Sequence, residues 1–524
     1  MSKIDLIITN ERALVVKSTL ARFVLDSYLS YSVTKCKIDK FESRLKKKTC
    51  YKWDVSEHTY RMDDNNSPFY TVSRGLAELL PSTAFNKIYE TTSNVKIPDD
   101  KDLSDEDIRD SLNESYRLRP DQIDAVRKSL KYKRGINQLA TGSGKSIIIC
   151  SIIKLLIKYN PDIKVLLILP YEHLQKSFSK YFELFNVKYS YPTKIEDDSN
   201  VIISSAISML NRSEYLSMFN VVLYDECQHL QADTWNELSL MLVNAEVALG
   251  FSAEVIKEQN IVDPFINKLS YQEALAIGAT GPVISYIPPS VYIEQGILAT
   301  PILFTISNYL DPILSDESDW NKTRTIGLMD ENRNKLVGYV TKIFTKNNRR
   351  VLLLVGTHEH SYRIAESILN ENNSAVVGIS FGGNKGYVCT YLPHGDKIYN
   401  YVSMSGDEVI EMFRNKDVNI LIGTSHLDEG VDLPDLDVCI LVGGGKVSRR
   451  LIQKVGRSLR ITKTGKYAYL VDFEDNNSKV LNKHYKSRLY VYENSIGITY
   501  DRSYKGISID KIESIFNDLE EISK

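Results

Sequence analysis

The 524-residue sequence lacks paired cysteines, long apolar runs and a dominant sign of charge. Its six cysteines include no C-x-x-C pair, which disfavours a zinc site and favours buried thiols in a reducing compartment. The most apolar helical stretch, residues 147–159, is interrupted by Lys154 and Lys158 and is too short to span a bilayer. The formal net charge is −2, so any binding of nucleic acid must come from local basic patches.

What the chain does contain is an ordinary globular composition. Hydrophobic residues make up 43% and charged residues 25% of it, which excludes a disordered chain, a fibre and a membrane bundle. The length predicts about three to five folded units. Residues 1–5 lack the layout of a signal peptide. We therefore expect a cytoplasmic protein without a membrane partner, located in the host cytoplasm if the chain is phage-encoded.

Shifts in composition divide the chain into segments. The predicted segments are a small N-terminal accessory domain (1–98), an acidic linker (99–114), a first lobe (115–265), a connection between lobes (266–325), a second lobe (326–473) with a hairpin insertion (383–402), and a C-terminal helical extension (474–524).

From residue 115 onward, short apolar runs alternate with amphipathic helical stretches. The first set of predicted strands covers 135–139, 165–169, 201–204, 221–224 and 247–251, and the second covers 351–355, 375–379, 418–422, 438–442 and 467–471. Such alternation is typical of parallel sheets with crossover helices. The sequence therefore predicts an α/β fold with two successive sheets.

A glycine-rich turn follows the first of these strands and opens a predicted helix at 147–158. It consists of Thr141, Gly142, Ser143, Gly144, Lys145 and Ser146. Glycines let backbone N–H groups curl around phosphate oxygens, and a helix start adds positive potential. Lys145 is placed to reach the β- and γ-phosphates, and Ser146 to bind Mg²⁺. The turn therefore predicts a P-loop that binds ATP with Mg²⁺.

Two adjacent carboxylates end the predicted strand at 221–224. Asp225 is expected to hold Mg²⁺ through water, and Glu226 to orient and deprotonate the attacking water. An isolated Asp-Glu pair usually lies on a solvated surface. Together with the upstream P-loop, the pair predicts a site of ATP hydrolysis.

With these motifs the sequence resembles the superfamily 2 helicases and translocases over residues 115–495, with Cys227 where that family usually has Ala. The stretch from Arg119 to Gln122 resembles an adenine-reading Q motif. Residues 252–254 take the place of a Ser-Ala-Thr coupling motif, in which Glu254 departs from Thr. Residues 423–432 resemble motif V, and 453–460 resemble motif VI.

The resemblance implies two tandem RecA-like parallel-sheet domains, a small α+β N-terminal domain and a short helical C-terminal extension. It implies catalytic roles for Lys145, Asp225, Glu226, Gln453, Arg457 and Arg460, and ATP contacts by Arg119, Gln122, residues 141–146, Gly430 and Asp432. It also implies coupling through Ser252 and Ala253, DNA contacts by Pro170, Ser205, Thr357 and Thr424, and Mg²⁺ binding by Ser146 and Asp225. Arg457 and Arg460 lie three apart on one predicted helix, so both can offset charge on a transferring phosphoryl group.

Segments at 292–301, 332–334 and 484–492 resemble the branch that contains phage UvsW-type, RadD and XPB-like helicases. That branch implies an ATP-dependent DNA helicase that remodels forked or branched DNA, by fork regression or branch migration, in replication, recombination or repair. Three alternatives stay open: a translocase on duplex DNA, the motor subunit of a restriction or repair assembly, and an RNA helicase. We expect a monomer, with other replication or recombination proteins as candidate partners.

A basic cluster in the N-terminal segment fits binding to DNA phosphates. Lys46, Lys47 and Lys48 can neutralise phosphates, and Tyr51 and Trp53 beside them can stack on unpaired bases. A solvated charge run beside two half-buried rings is the alternative.

Tyr387, Cys389 and Tyr391 alternate with Val388, Thr390 and Leu392, and a glycine-containing turn follows. Residues 387–402 are therefore predicted to form a β-hairpin. The hairpin either parts the duplex as a wedge or extends the sheet of the second lobe.

Overall fold

The structure is a computed structural model. It describes residues 3–8, 12–17, 21–22, 24–25, 29–38, 50–58, 60–61, 69–80, 82–89, 95–96, 103–113, 116–196, 198–257, 260–261, 269–310, 319–325, 327–381, 385–394, 397–424, 433, 436–445, 467–494, 498–499 and 502–523. The chain divides into two compact units, Met1–Leu139 with Gly144–Ile287, and Pro288–Lys524 with Ala140–Ser143. Within the described ranges, no helix has the length and apolarity that crossing a membrane requires.

The N-terminal part of the first unit is built from short strands. They are β1 (Ile4–Ile8), β2 (Arg12–Val16), β3 (Ser30–Ile38), β4 (Cys50–His58), β5 (Tyr60–Arg61), β6 (Phe69–Ser73) and β7 (Phe85–Tyr89). Five of them form a sheet in the order β5-β6-β2-β1-β7, in which β1 and β7 run parallel. Strands β3 and β4 pair as a separate antiparallel ribbon. Alternate residues such as Leu6, Ile8 and Val15 are fully buried, so one face of the sheet forms a core.

A seven-stranded parallel sheet follows in the first unit. Its strands are β8 (Arg134–Leu139), β9 (Val165–Ile168), β10 (Tyr189–Ser190), β11 (Val201–Ser204), β12 (Val221–Asp225), β13 (Val247–Ser252) and β14 (Val283–Ile287). They lie in the order β10-β11-β9-β12-β13-β8-β14. Strands β9 and β11 are buried at every position, because helices cover both faces of a parallel sheet.

The helices of the first unit are α1 (Arg74–Ala77), α2 (Asp105–Arg109), α3 (Pro120–Tyr132), α4 (Lys145–Tyr159), α5 (Glu172–Leu184), α6 (Ala206–Leu210), α7 (Asp233–Met241) and α8 (Tyr271–Thr280). Helix α2 falls within the predicted acidic linker, and its Ile108 is fully buried in a core shared with α4. The N-terminal sheet packs on the larger sheet through α1 and α8. A Cβ at Gly75 would lie 1.9 Å from the carbonyl oxygen of Ile277, so only glycine allows this approach.

The second unit contains a nine-stranded sheet. Its strands are β15 (Thr300–Asn308), β16 (Val351–Leu354), β17 (Val376–Ser380), β18 (Gly386–His394), β19 (Lys397–Met404), β20 (Ile420–Gly423), β21 (Val438–Leu441), β22 (Tyr467–Asp475) and β23 (Ser503–Ile507). The order is β19-β18-β17-β20-β16-β21-β22-β15-β23. The helices are α9 (Pro289–Glu294), α10 (Trp320–Thr325), α11 (Glu331–Lys346), α12 (His358–Glu371), α13 (Gly406–Asn415), α14 (Lys479–Asn494) and α15 (Ile509–Ser523).

These two sheets confirm the predicted fold of two tandem parallel-sheet domains beside a small α+β domain. Strands β14 and β15 fall inside the predicted connection, one in each sheet. The C-terminal extension is not only helical, because it also supplies the edge strand β23, which pairs in parallel with β15.

The predicted hairpin is confirmed as β18 and β19, which pair antiparallel at the edge of the second sheet. Its tyrosines pack on α12, where Tyr399 donates to Asn370 at 2.7 Å and Tyr401 donates to Glu366 at 3.3 Å. These contacts favour the sheet extension over the wedge, since the hairpin buries side chains that a projecting wedge would leave in solvent.

Candidate ATP-hydrolysis and strand-binding site

Several predicted site residues lie together at the carboxyl-terminal ends of the strands of the seven-stranded sheet. The P-loop follows β8, Ser252 ends β13, Asp225 ends β12, Pro170 lies just after β9 and Ser205 follows β11. Because all these strands are parallel, their carboxyl ends share one edge, where ligands bind in open α/β sheets. The strand order therefore places Asp225, at the end of β12, beside β9, which leads to the predicted strand contact Pro170.

The P-loop has the backbone conformation that a phosphate cradle needs. Gly142 and Gly144 have φ angles of +86° and +89°, in the left-handed region that favours glycine. A Cβ at Gly144 would lie 2.4 Å from Nε2 of Gln122, so any side chain at this position would collide with the Gln122 side chain that packs against the loop. Lys145 begins α4, and its Nζ donates to the carbonyl oxygen of Leu139 at 3.3 Å.

The Q-motif residues support the loop from α3. Gln122 is buried, and its Oε1 accepts from the backbone N–H of Arg119 at 3.1 Å. The Arg119 guanidinium binds Asp121 through two hydrogen bonds, of 2.9 and 3.0 Å. Gln122 thus caps α3 and lies against the P-loop, and its reading of adenine stays a prediction.

The two carboxylates occupy different environments. Asp225 is 6% exposed, and burial, followed by the neighbouring Glu226, raises its pKa to about 7 against the opposing effect of Lys145. A cation at this position would offset the cost of burying the charge. Glu226 has φ +52°, an unfavourable conformation for a residue with a side chain that persists only where the surroundings impose it.

A chain of hydrogen bonds connects Glu226 to the coupling motif. Gln228 lies on the 3-10 helix Cys227–Gln231, and its Nε2 donates to Oε2 of Glu226 at 3.0 Å. Its Oε1 accepts from the hydroxyl of Ser252 at 2.5 Å. That hydroxyl accepts in turn from the backbone N–H of Glu254 at 3.2 Å. The departure from Thr at 254 therefore does not break the chain, because that residue contributes through its backbone.

Gln228→Leu is expected to lower kcat for ATP hydrolysis about 10- to 100-fold, since hydrogen bonds to charged groups contribute about 1.5–3 kcal/mol. The substitution frees the Glu226 carboxylate to rotate and leaves the Ser252 hydroxyl without its acceptor. Steady-state ATPase assays with the ATP concentration varied would measure it. Gln231→Leu, the same change on the same 3-10 helix, should stay near the wild-type kcat. Equal effects of the two variants would contradict a positioning role for Gln228.

The arrangement fits a Mg²⁺–nucleotide. Gly142 and Gly144, both with positive φ, form the turn, and Lys145 and the half-buried Ser146 begin the helix that follows it. In the part of the chain that the structure describes, no three His, Cys, Asp or Glu side chains cluster closely enough to hold a metal by themselves. Mg²⁺ is usually bound by one or two protein ligands plus substrate phosphates.

In the second unit, two predicted strand contacts follow parallel strands. Thr357 comes after β16 as the N-cap of α12, and its Oγ1 accepts from the backbone N–H of His360 at 3.2 Å. Thr424 follows β20, which pairs directly with β16. Eight other predicted site residues lie outside the described residues: Lys46, Lys47, Lys48, Gly430, Asp432, Gln453, Arg457 and Arg460.

Two polar residues that the sequence analysis did not select, Gln228 and Arg488, make defined hydrogen bonds in the structure. Gln228 connects Ser252 to Glu226 through hydrogen bonds. Its position two residues after Glu226 is the one sequence feature that could have indicated this role. Arg488 on α14 binds both oxygens of Asp472 and donates to the carbonyl oxygen of Gly445. No local pattern indicates this second arrangement, because its three residues lie on separate segments.

Two family models match the chain. The "Type III restriction enzyme, res subunit" model matches residues 115–257, and the "Helicase conserved C-terminal domain" model matches residues 335–462. With the two-sheet fold and the P-loop geometry, these matches define the class: the chain belongs to the superfamily 2 helicases, which are ATP-dependent enzymes. The resemblance seen in the sequence is confirmed.

Individual relatives are distant. The chain is 22% identical over 404 residues to "DNA 3'-5' translocase XPB2" of Sulfurisphaera tokodaii, an alignment that covers 70% of this chain and 85% of the relative. A fragment of a putative HsdR subunit from Vibrio vulnificus is 15% identical, with 78% of this chain and 72% of that chain covered and a TM-score of 0.53. T4 UvsW is also 15% identical, with 97% and 99% covered and a TM-score of 0.40.

Proposed function

We propose that the chain is an ATP-dependent DNA helicase that unwinds or remodels forked and branched DNA during replication, recombination or repair. The observation that carries this proposal is that the P-loop, the buried Asp225 and its neighbour Glu226 lie at the same ends of the first sheet's strands as the residues in strand-contact positions. The similarity to the DNA 3'-5' translocase XPB2 supports DNA as the polymer.

Each residue then has a defined task. Bound Mg²⁺, held through Ser146 and Asp225, would neutralise phosphate charge. Lys145 neutralises the terminal phosphates, and Glu226, held by Gln228, accepts a proton from the attacking water. Gln453, Arg457 and Arg460 are proposed to stabilise the transferring phosphoryl group. Strand contacts are proposed for Pro170, Ser205, Thr357, Thr424 and the lysines at 46–48, and further nucleotide contacts for Gly430 and Asp432.

A second candidate is a translocase that moves on duplex DNA without separating strands. The similarity to XPB2, which is named as a DNA translocase, favours it. Both candidates share the ATP site, so only the response to nucleic-acid structure separates them.

ATP hydrolysis and strand separation, measured on matched single-stranded DNA, duplex DNA, forks, four-way junctions and RNA, test the proposal. We expect forks and junctions to stimulate hydrolysis most and to be resolved only with ATP and Mg²⁺. Lys145→Ala, which removes the ammonium group that binds phosphate, provides the hydrolysis-deficient control. Stimulation by duplex without strand separation would favour the translocase, and stimulation by RNA alone would refute DNA as the substrate.

A further inference from the structure

We infer that Tyr171 senses the bound nucleic-acid strand and transmits its presence to the hydrolytic carboxylate Glu226 through the ring of His229. The inference rests on the proposed function, since it needs a strand at the sheet edge. It adds a residue pair that links strand binding to hydrolysis within the first unit alone.

Tyr171 lies between the predicted strand contacts and the hydrolytic residues, at the carboxyl-terminal ends of the strands of the first sheet. It follows Pro170 and is the N-cap residue of α5, three residues after the end of β9. Strand β9 lies between β11, which leads to Ser205, and β12, which ends at Asp225. The Tyr171 side chain is 36% exposed. An exposed ring beside strand contacts can stack on bases irrespective of their sequence.

The inner side of the same ring meets the turn that carries Glu226. The rings of Tyr171 and His229 meet edge to face, with centroids 6.2 Å apart and planes at 89°. His229 also stacks on Trp235, at 5.3 Å and 29°. Trp235 is 8% exposed and packs against the buried Tyr224. The His229 ring is thus packed against the rings of both Tyr171 and Trp235, and in such close packing a displacement of Tyr171 displaces His229.

A movement of His229 reaches Glu226 through the backbone. The N–H of His229 donates to the carbonyl oxygen of Glu226 at 3.1 Å, within the turn that also carries Gln228. Glu226 is held with φ +52°, so its conformation depends on contacts of this kind. A base or sugar that contacts Tyr171 would thus shift the turn from Glu226 to His229 and change the orientation of the Glu226 carboxylate.

The coupling predicts a specific change in the stimulation ratio, which is kcat with saturating oligothymidylate divided by kcat without it. Tyr171→Ala and His229→Ala are each expected to lower this ratio about tenfold, a typical size for coupling between sites. Because both residues act in one path, the double variant should lose no more than either single variant. Tyr171→Phe keeps the ring edge and should keep the ratio.

Two further measurements separate coupling from other effects. Fluorescence anisotropy with labelled oligothymidylate establishes saturation for each variant, so a weaker affinity cannot imitate a lost response. Tyr215→Ala removes another exposed tyrosine of the same unit, 41% exposed on the 3-10 helix Ser213–Met218, and should keep the wild-type ratio. Thermal unfolding confirms that each variant is folded.

The failures of the two proposals are distinguishable. A wild-type protein that is stimulated by nucleic acid, with Tyr171→Ala or His229→Ala stimulated equally at saturation, overturns the inference and leaves the proposed function standing. Additive losses in the double variant also overturn it, because they show independent roles. A wild-type ratio of one with every nucleic acid overturns both.

Discussion

Glu226→Gln is expected to bind ATP with near-normal affinity and to hydrolyse it about 10²- to 10⁴-fold more slowly, the usual contribution of a general base. The amide has the shape of the carboxylate, and its oxygen can still accept from Gln228, which donates to Glu226 at 3.0 Å. It cannot take a proton from water. Because Lys145 and the P-loop are untouched, the loss should appear in kcat and not in binding.

Binding of a fluorescent ATP analogue and single-turnover hydrolysis measure the two quantities separately. Glu214→Gln, the same change at an exposed position of the same unit, is the matched control and should match the wild type in both. Turnover by Glu226→Gln at the wild-type rate would show that another group activates water. Lost ATP binding would show that Glu226 contributes to the nucleotide pocket instead.

The parallel sheets could be predicted because their strands are uninterrupted apolar runs. Strand β9 is buried at all of its positions, and such runs between helical stretches have few other interpretations. The edge strand β23 has no such pattern, since none of its residues is fully buried. Its position depends on pairing with β15, which lies far away in sequence, so local propensity does not reveal it.

The same distinction holds for the site. The P-loop is one unbroken stretch of sequence, and Asp225 and Glu226 are neighbours. The chemistry of each motif can therefore be predicted from residue type and order. The contact from Ser252 to Gln228 joins the ends of β13 and β12, and the contact from Tyr171 to His229 joins the ends of β9 and β12. Only the strand order β9-β12-β13 brings these groups together, and a single sequence does not specify that order.

Arg488→Ala is expected to destabilise the second unit by about 3–5 kcal/mol, the usual result of removing one partner of a buried ion pair. Arg488 is 4% exposed and Asp472 is fully buried. Two hydrogen bonds, of 2.7 and 2.8 Å, join the guanidinium to the two carboxylate oxygens. Burial lowers the pKa of Arg488, and the charge and hydrogen bonds of Asp472 more than reverse that effect. Without Arg488 the carboxylate keeps the Tyr492 hydroxyl, at 2.7 Å, but no positive partner.

Hydrogen exchange of the backbone amides in β15 and β22 measures this loss within the second unit, independently of unfolding elsewhere. Arg363→Ala, at an exposed position of α12, should change protection little, since surface substitutions usually stay within about 0.5 kcal/mol. Protection in Arg488→Ala equal to that of Arg363→Ala would contradict the prediction.

A double variant tests the cause. Replacing both partners, as in Arg488→Met with Asp472→Leu, should recover most of the lost stability, because apolar replacement of a buried pair is often neutral. Recovery should remain incomplete by about 1–3 kcal/mol, since the carbonyl oxygen of Gly445 accepts from Arg488 at 2.7 Å and loses that donor in both variants. If the double variant is instead as unstable as Arg488→Ala, packing around the long side chain sets the stability, and the unpaired Asp472 charge does not.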